Sequence, residues 1–517
     1  MKMGCRTDAP APARGGMFVA VSLGKDPGYW MQNSTKTADD RSWRGLLRSH
    51  RRWFFWLTCA AFALRLLFVI RFPNLTPDGI VYGDLAKNWL LRHVYGLSGP
   101  SGPVPTYIRL PGYPAFLAGM WAVLGVEHYN AVRFAQVFID VGTCFIIADL
   151  ARRATAGAVH FSSRQAAKWA FALAALCPFL ANYTAVPLTE TLAIFFAAMA
   201  LDFAVAARAW QQNTEEVSIG NWAGCGLAIA AGIYLRPDGG IVLIAIGGFL
   251  LLRLAGNPRQ TMVAGVVLAI CSLLPLAPWT ARNWRAFRQF MPLAPIHANA
   301  PGEYYATGFE RWMRTWLADY SSLEDIGFKM DDAVMDINAL PDRAFDSAGE
   351  RRATQEVFDR YNQTVTMTRE LDAQFGQLAR QRIRRKPFRY YVELPVLRIL
   401  DLWLRPRTEM LPLDTHWWRF RDDPHDFAWS VTLAAINGMY IGLALLGAVG
   451  VWREIRYAGM LAGFVVLRTL IMTALAYPEP RYVLECYPVV IVFAAAMCAS
   501  RQSSVFSRQS SGHMRIG

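Results

Sequence analysis

Long apolar runs broken by short polar motifs set the pattern of this 517-residue chain. Trp53 to Ile70 is the first run. Others follow at 131–150, 166–183, 188–208, 220–235, 239–254 and 261–279, and three more at 429–452, 458–476 and 483–499. An α-helix of about 20 residues with almost no charge spans the hydrocarbon of a bilayer. The pattern predicts a mainly α, polytopic α-helical membrane protein of about ten spans, two of them short.

Two intervals break the pattern. Residues 72 to 128 hold an amphipathic stretch from Tyr82 to His93 and the half-length apolar piece "GYPAFLAGMWAVLG", which predict interfacial helices lying along the membrane in the first external loop. After the seventh span the chain turns polar and charged to about Phe427, with amphipathic pieces such as "RRKPFRYYVELPVLRILDLWLRP". This predicts an external α or α/β region resting on the membrane surface.

Charge orients the spans. Arg48, Arg51 and Arg52 precede the first run, and Arg152 and Arg153 end the second, so these clusters belong on the cytosolic side. Both chain ends then lie inside. "TPDG", "YIRLPGYP", "NYTAVPLTE", "LRPDGG", "PWTARNW" and "YPEPRY" all fall on the opposite face, and ionisable residues gathered at one side of a bilayer suggest a site there. The formal net charge of +14 comes without a nucleic-acid module, and its arginines gather at run ends, which fits topology and lipid headgroups rather than nucleic acid. The eight cysteines include no CxxC pair and lie mostly in apolar runs, against a disulfide or zinc framework.

The candidate residues follow from that face. Asp78 and Asp84 stand where the chain leaves the first span; Asp78 either begins a Pro-Asp-Gly turn or faces a site, and Asp84 either solvates a helix or joins it. Glu190 begins a later span, where the helix dipole alone would favour an acid. Arg109, Arg236, Arg282 and Arg481 sit beside Pro, aromatic or Asn residues at the same membrane face. One arginine there snorkels to headgroups; four beside two carboxylates suit a bound phosphate, which guanidinium recognises bidentately. The histidines show no metal-ligand spacing.

"TPDGIVYGDLAKNWL", "RLPGYPAFLAGMWAVLG", "LTETLAIFF", "YLRPDG", "PWTARNWRAF" and "RYVLECYPVVIVFAA", in that order, resemble the motifs of type C glycosyltransferases, in the branch of protein mannosyltransferases and lipid A aminoarabinose transferases. The resemblance runs from about residue 53 to 499 and is weakest over 300 to 425. It implies inverting transfer of a sugar from a polyprenyl-phosphate donor to a hydroxyl acceptor (a glycan, lipid or protein) on the non-cytosolic side. That side is the periplasmic face of a bacterial inner membrane, or the ER lumen in a eukaryote.

Carried over residue by residue, the resemblance makes Asp78 the base or metal-facing carboxylate and Glu190 its catalytic partner. Tyr82, Asp84, Arg109, Arg236, Arg282, Asn283, Arg481 and Tyr482 become substrate-binding candidates, with Arg481 and Tyr482 near the lipid phosphate. Gly79 stands where many members carry a second acid, so a divalent cation, Mg or Mn, would rest on Asp78 with Asp84 or Glu190 as substitutes.

The implied organisation is a disordered cytosolic leader (1–52), an N-terminal transmembrane module (53–280) with an external catalytic loop at 72–130, an external region (281–428), a C-terminal transmembrane module (429–500) and a cytosolic tail (501–517). Two other functions stay open: a transporter or flippase of lipid-linked intermediates, which needs mid-span charges such as Arg65, Asp140 and Asp202, and an inactive relative serving as a binding subunit.

Overall fold

The structure, a computed structural model, describes residues 43–513 apart from 215, 296, 298, 300–302, 420, 422 and 476. Most of the expected leader, residues 1–42, and the last four residues of the tail lie outside the described residues. The chain divides into two compact units at Phe54 and Phe55. In the first, helix α1 (Trp43–Ser49) precedes the start of α2 (Arg51–Arg71), and the Trp43 ring meets Phe54 edge-on.

The second unit is built from helices. After α2 come α3 (Pro77–Arg92), a two-stranded antiparallel hairpin of β1 (Gly96–Gly99) and β2 (Gly102–Pro105), and α4 (Gly112–Leu124). Then follow α5 (Tyr129–Ala154), α6 (Ser163–Ala175), α7 (Pro178–Asn182), α8 (Glu190–Thr214), α9 (Ile219–Leu235), α10 (Gly240–Arg253), α11 (Pro258–Leu273) and α12 (Ala277–Phe287). A connecting layer holds α13 (Thr307–Met313), α14 (Tyr320–Ile326), α15 (Ala348–Asn362), α16 (Arg369–Arg385) and α17 (Leu394–Leu404). The chain closes with α18 (Pro424–Gly450), α19 (Ala458–Thr473) and α20 (Tyr487–His513).

Every expected apolar run coincides with helix. Among the described residues six segments are long and apolar enough to cross a membrane: α2, α5, most of α8, α11 continued into α12, α18, and the turn before α20 continued into α20 as far as Arg501. The protein is thus a mainly α-helical, polytopic integral membrane protein. The segment entering α20 is 83% buried while α2, α11–α12 and α18 are 28% buried. α20 is therefore a central helix, packed on α18 and α6. The outer helices show apolar side chains such as Leu67, Val266 and Leu446 on the surface a bilayer covers.

The connecting layer is helical, so of the two forms expected there the α form is observed. Its core is aromatic: Phe309, Trp312 and Trp316 pack with Phe358 and Phe375. Side chains cap its helices, Asp319 for α14, Ser347 for α15 and Thr368 for α16, each accepting a backbone N–H of the first turn. The only strands among the described residues are those of the hairpin.

One run departs from a plain span. The expected helix over 166–183 breaks after Ala175 because Pro178 has no N–H for the carbonyl of Ala174. The break is filled from α2: Arg65 donates to the carbonyls of Ala174 (3.0 Å) and Ala175 (2.5 Å), and its Nε lies 2.7 Å from Asp140 Oδ2 on α5. Both charges are inaccessible: Arg65 is satisfied by Asp140 and by the freed carbonyls, while Asp140 is met by Arg65 through Oδ2 and its Oδ1 is buried without a hydrogen-bond partner among the described residues.

Asp140→Ala leaves Arg65 buried without its counter-charge. We expect a loss of about 3 to 5 kcal/mol of stability, read as a lowered unfolding midpoint in detergent. An unchanged midpoint would mean that the carbonyls alone hold Arg65.

Candidate functional site

"TPDG" opens a helix. Thr76 Oγ1 accepts from the Gly79 N–H at 3.2 Å, and Pro77 takes the first helical position, where its missing donor costs nothing. Asp78 therefore lies in the first turn of α3, where the helix dipole favours negative charge. Gly79 permits a close approach: a Cβ there would stand 3.1 Å from the carbonyl oxygen of Pro187, in the turn that leads into α8. A side chain at this position would require that oxygen and the Leu75 side chain to give by a few tenths of an ångström. Gly112 does the same for α4, since a Cβ would come within 2.5 Å of the Tyr234 carbonyl beside the α9–α10 hairpin. The two contacts draw the first loop toward Glu190 and Arg236.

Around Asp78 the chain assembles an ion-pair network. Arg109 Nη2 donates to Asp78 Oδ1 at 2.9 Å, and Arg481 Nη2 to Asp78 Oδ2 at 3.2 Å. Arg481 also faces Glu190 Oε1 at 3.6 Å and Glu479 Oε2 at 2.8 Å. Arg236 bridges Glu190 (2.9 Å) and Asp238 (3.0 Å), and Arg468 bridges Asp238 (2.6 Å) and Glu485 (2.7 Å). Tyr482 donates its hydroxyl to Glu479 at 2.7 Å, while its ring lies under Arg236 at 4.7 Å and Arg481 at 5.6 Å.

Five carboxylates thus meet four guanidiniums, a formal charge of −1. The network has a closed and an open end. The Arg468 side chain is 1% exposed, whereas Asp78 is 31% and Arg109 26% exposed. A ligand therefore meets Asp78, Arg109 and the edge of Arg481 first.

Burial pushes the Asp78 carboxyl up, but Arg481 and Arg109 outweigh it and hold it below the usual aspartate value. Tyr82, one turn further along α3, is buried edge-on against Tyr113, and burial followed by the Asp78 charge pushes its hydroxyl up to about 12.

The structure brings together Asp78, Arg109, Glu190, Arg236, Arg481 and Tyr482. It puts three other candidates elsewhere. Asp84 accepts from the Ser98 backbone N–H and hydroxyl, each at 2.6 Å, and so fastens the hairpin to α3. Arg282 donates to the carbonyls of Thr106 (2.6 Å) and Tyr95 (2.7 Å) and lies over the Tyr95, Trp279 and Phe287 rings. Asn283 spans Arg282 and the Met291 carbonyl. This pair staples the first loop to α12.

Four members of the network escaped the sequence reading. Asp238, Glu479 and Glu485 lie inside motifs quoted for their arginines and tyrosines. Arg468 is a lone charge within the apolar run "LAGFVVLRTLIMT", and an ionisable residue inside a span was the signal that could have found it.

For a divalent cation, both Asp78 oxygens already face guanidiniums, which disfavours a metal there. The described residues do contain one group that could hold a metal ion: Asp423, His425 and Asp426 at the start of α18. Asp423 there also accepts the backbone N–H groups of His425 and Asp426, as a helix cap does.

Fold and site together define a polytopic α-helical membrane protein with a half-buried arginine–carboxylate network where several helices end. Residues 104–280 match the family model described as dolichyl-phosphate-mannose-protein mannosyltransferase. No curated protein matches the chain.

Among solved structures, the chain is similar to the archaeal oligosaccharyltransferase AglB of Archaeoglobus fulgidus, solved with an inhibitory peptide and a dolichol-phosphate. Identity is 13%, the TM-score 0.49, and the match covers 92% of this chain and 53% of that one. An oligosaccharyltransferase of Archaeoglobus fulgidus solved with Zn and sulfate gives 12% identity, a TM-score of 0.47 and coverage of 89% and 50%. ArnT of Cupriavidus metallidurans bound to undecaprenyl phosphate gives 13%, a TM-score of 0.38 and coverage of 86% and 78%. The chain spans about half the length of the archaeal enzyme.

Because the Asp78 carboxyl is held below its unfolded value, its ion pairs stabilise fully above the unfolded value, about 3.9, and are lost as the pH falls through the lowered one. The difference in unfolding midpoint between wild type and Asp78→Asn should stay constant from about pH 8 to 5 and shrink only below about pH 4. A difference that varied between pH 6 and 8 would contradict this arrangement.

Proposed function

We propose that this chain is a membrane glycosyltransferase that moves a sugar, with inversion, from a polyprenyl-phosphate donor to a hydroxyl acceptor on the non-cytosolic side. The observation that carries the reading is Asp78 at the accessible end of the network, held between two arginines. The matched family region and the ordered motifs point to the same chemistry.

In the transfer, the acceptor oxygen bonds to the anomeric carbon as the bond from that carbon to the phosphate oxygen breaks. The acceptor proton passes to Asp78, and the lipid departs as a phosphate monoester with one more negative charge. Arg109 and Arg481, fixed before the donor arrives, stabilise that developing charge. The donor phosphate competes with Asp78 for them, so a carboxylate that is a weak base at rest gains proton affinity as its partners turn to the ligand.

Glu190, buried between Arg236 and Arg481, positions guanidiniums rather than taking the proton. Arg282 and Asn283 serve as the loop staple, and Tyr82 packs behind Asp78. A crossing count of ten, with the network on the periplasmic or luminal face, gives the lipid-linked donor access from the bilayer. The domain boundaries near residues 53, 281, 429 and 500 belong to the same reading.

For a transporter the mid-span charges would have to line a path. Arg65 and Asp140 instead neutralise each other out of solvent's reach, and Asp202 pairs with Arg153 at 3.1 Å.

The test compares cells producing wild-type or variant chain at equal membrane levels, by mass analysis of their glycolipids and glycoproteins. We expect a sugar addition that depends on the chain and falls by about 10² or more in Asp78→Asn. Arg481→Gln should weaken use of the donor, whereas Arg282→Gln should lower the amount of folded protein more than the activity per molecule. Full transfer by a normally inserted Asp78→Asn variant would remove Asp78 as the base.

A further inference from the structure

A second charged region lies away from the network. Between the connecting layer and the end of α19 is a cavity of about 600 Å³, lined by Arg311, Arg314, Arg380, Arg384 and Arg398 and by no carboxylate. Leu470 and Thr473 of α19 form part of its wall. Leu470 lies about 200° around α19 from Arg468, so α19 turns one face to the acidic network and another to this cavity.

The arginines converge from three elements. Arg311 and Arg314 come from α13 and the residue after it, and Arg398 from α17. Arg380 and Arg384 stand one turn apart on α16, a like-charge spacing that weakens a helix. Arg398 is buried, held by the carbonyls of Leu317 (2.9 Å) and Arg314 (2.6 Å). Burial, and then the charge of Arg314, push it down to about 10. The Nε of Arg314 is itself buried with no hydrogen-bond partner, and its guanidinium lies over the Tyr390 ring. Five positive charges gathered with no carboxylate in the lining among the described residues form a site that an anion would stabilise.

The neighbouring segment says which environment the anion comes from. Phe388, Val392, Val396, Leu400 and Leu404 recur every fourth residue and are all exposed. They make an apolar stripe along α17 and the turn leading into it, beside cavity residues Tyr391 and Pro395. Such a stripe on an amphipathic helix lies in the interface of a bilayer. We infer that the cavity binds the phosphate-bearing headgroup of an anionic membrane lipid, with the acyl chains leaving past Leu470 and the exposed stripe. This inference does not depend on the proposed transferase activity.

The test is binding of phosphatidylglycerol and of phosphatidylcholine to the full chain in detergent, measured by native mass spectrometry. Neutralising the two solvent-facing arginines in R380Q/R384Q should weaken phosphatidylglycerol binding by about ten- to thirtyfold and leave phosphatidylcholine unchanged. R380K/R384K should retain most of the binding, and R311Q gives an independent variant expected to shift it in the same direction. R352Q/R360Q, which removes the same charge elsewhere in the connecting layer, should have no effect. Unchanged phosphatidylglycerol binding in R380Q/R384Q and R311Q would overturn the inference, as would an equal loss in R352Q/R360Q. Millimolar inorganic phosphate binding alone and displacing the lipid would instead make this a soluble-anion site and overturn it too.

Discussion

Arg481 faces carboxylates from three separated parts of the chain: Asp78 from the first loop, Glu190 from the start of α8, and Glu479 two residues before it. None of the three could be as buried as it is without such a counter-charge, because an unpaired carboxylate loses several kcal/mol of solvation on entering a low-dielectric region. The dependence is mutual, since a guanidinium at the end of α20's apolar segment needs acceptors for its fork of donors. Arg236 and Arg468 extend the pairing inward through Asp238 and Glu485, so the first loop, α8, the α9–α10 hairpin, α19 and the turn before α20 share one electrostatic constraint.

Proline supplies the backbone for this. "TPDG", "LRPDG" and "PEPR" each place Pro within two residues of a network charge, at a helix start or a helix break. A helix that ran on smoothly would turn these side chains around its circumference at about 100° per residue. A 3₁₀ turn over Pro237–Gly239 and another over Pro480–Cys486 instead let neighbouring charges face a common point. The break before Pro178 is handled by a different device, a charge from α2 that satisfies the freed carbonyls. In both cases irregular backbone among apolar helices is tolerated because a buried arginine is there to meet it.

The spans were legible because burial in lipid imposes one simple rule, a long uncharged run, and each such run became helix. The connecting layer was legible only as amphipathic helices, because its core joins Phe309 and Trp312 of α13 to Phe375 of the distant α16, a pairing that no local pattern specifies. Within the site, polar motifs at span ends revealed Asp78, Glu190, Arg236 and Arg481, yet they did not distinguish an arginine facing carboxylates from one facing carbonyls. Arg282 looks the same in sequence as Arg481; only the fold of the hairpin, which brings the Tyr95 and Thr106 carbonyls to α12, gives it another task. Asp84 is a similar case, separated from Asp78 by the position of Ser98.

The protein holds arginines in two opposite ways, and the contrast bears on what each region can do. In the network every guanidinium has a carboxylate, so an arriving anion must take the place of an existing partner, and binding is coupled to release of a group that can then act. In the cavity between α13, α16 and α17 no carboxylate lines the wall among the described residues, so an anion there would displace no existing ion-pair partner. The first arrangement suits a site where charge must move during a reaction, and the second suits retention. Both meet on α19, where Arg468 faces the carboxylates and Leu470 the cavity, so the two arginine clusters share one short helix as a wall.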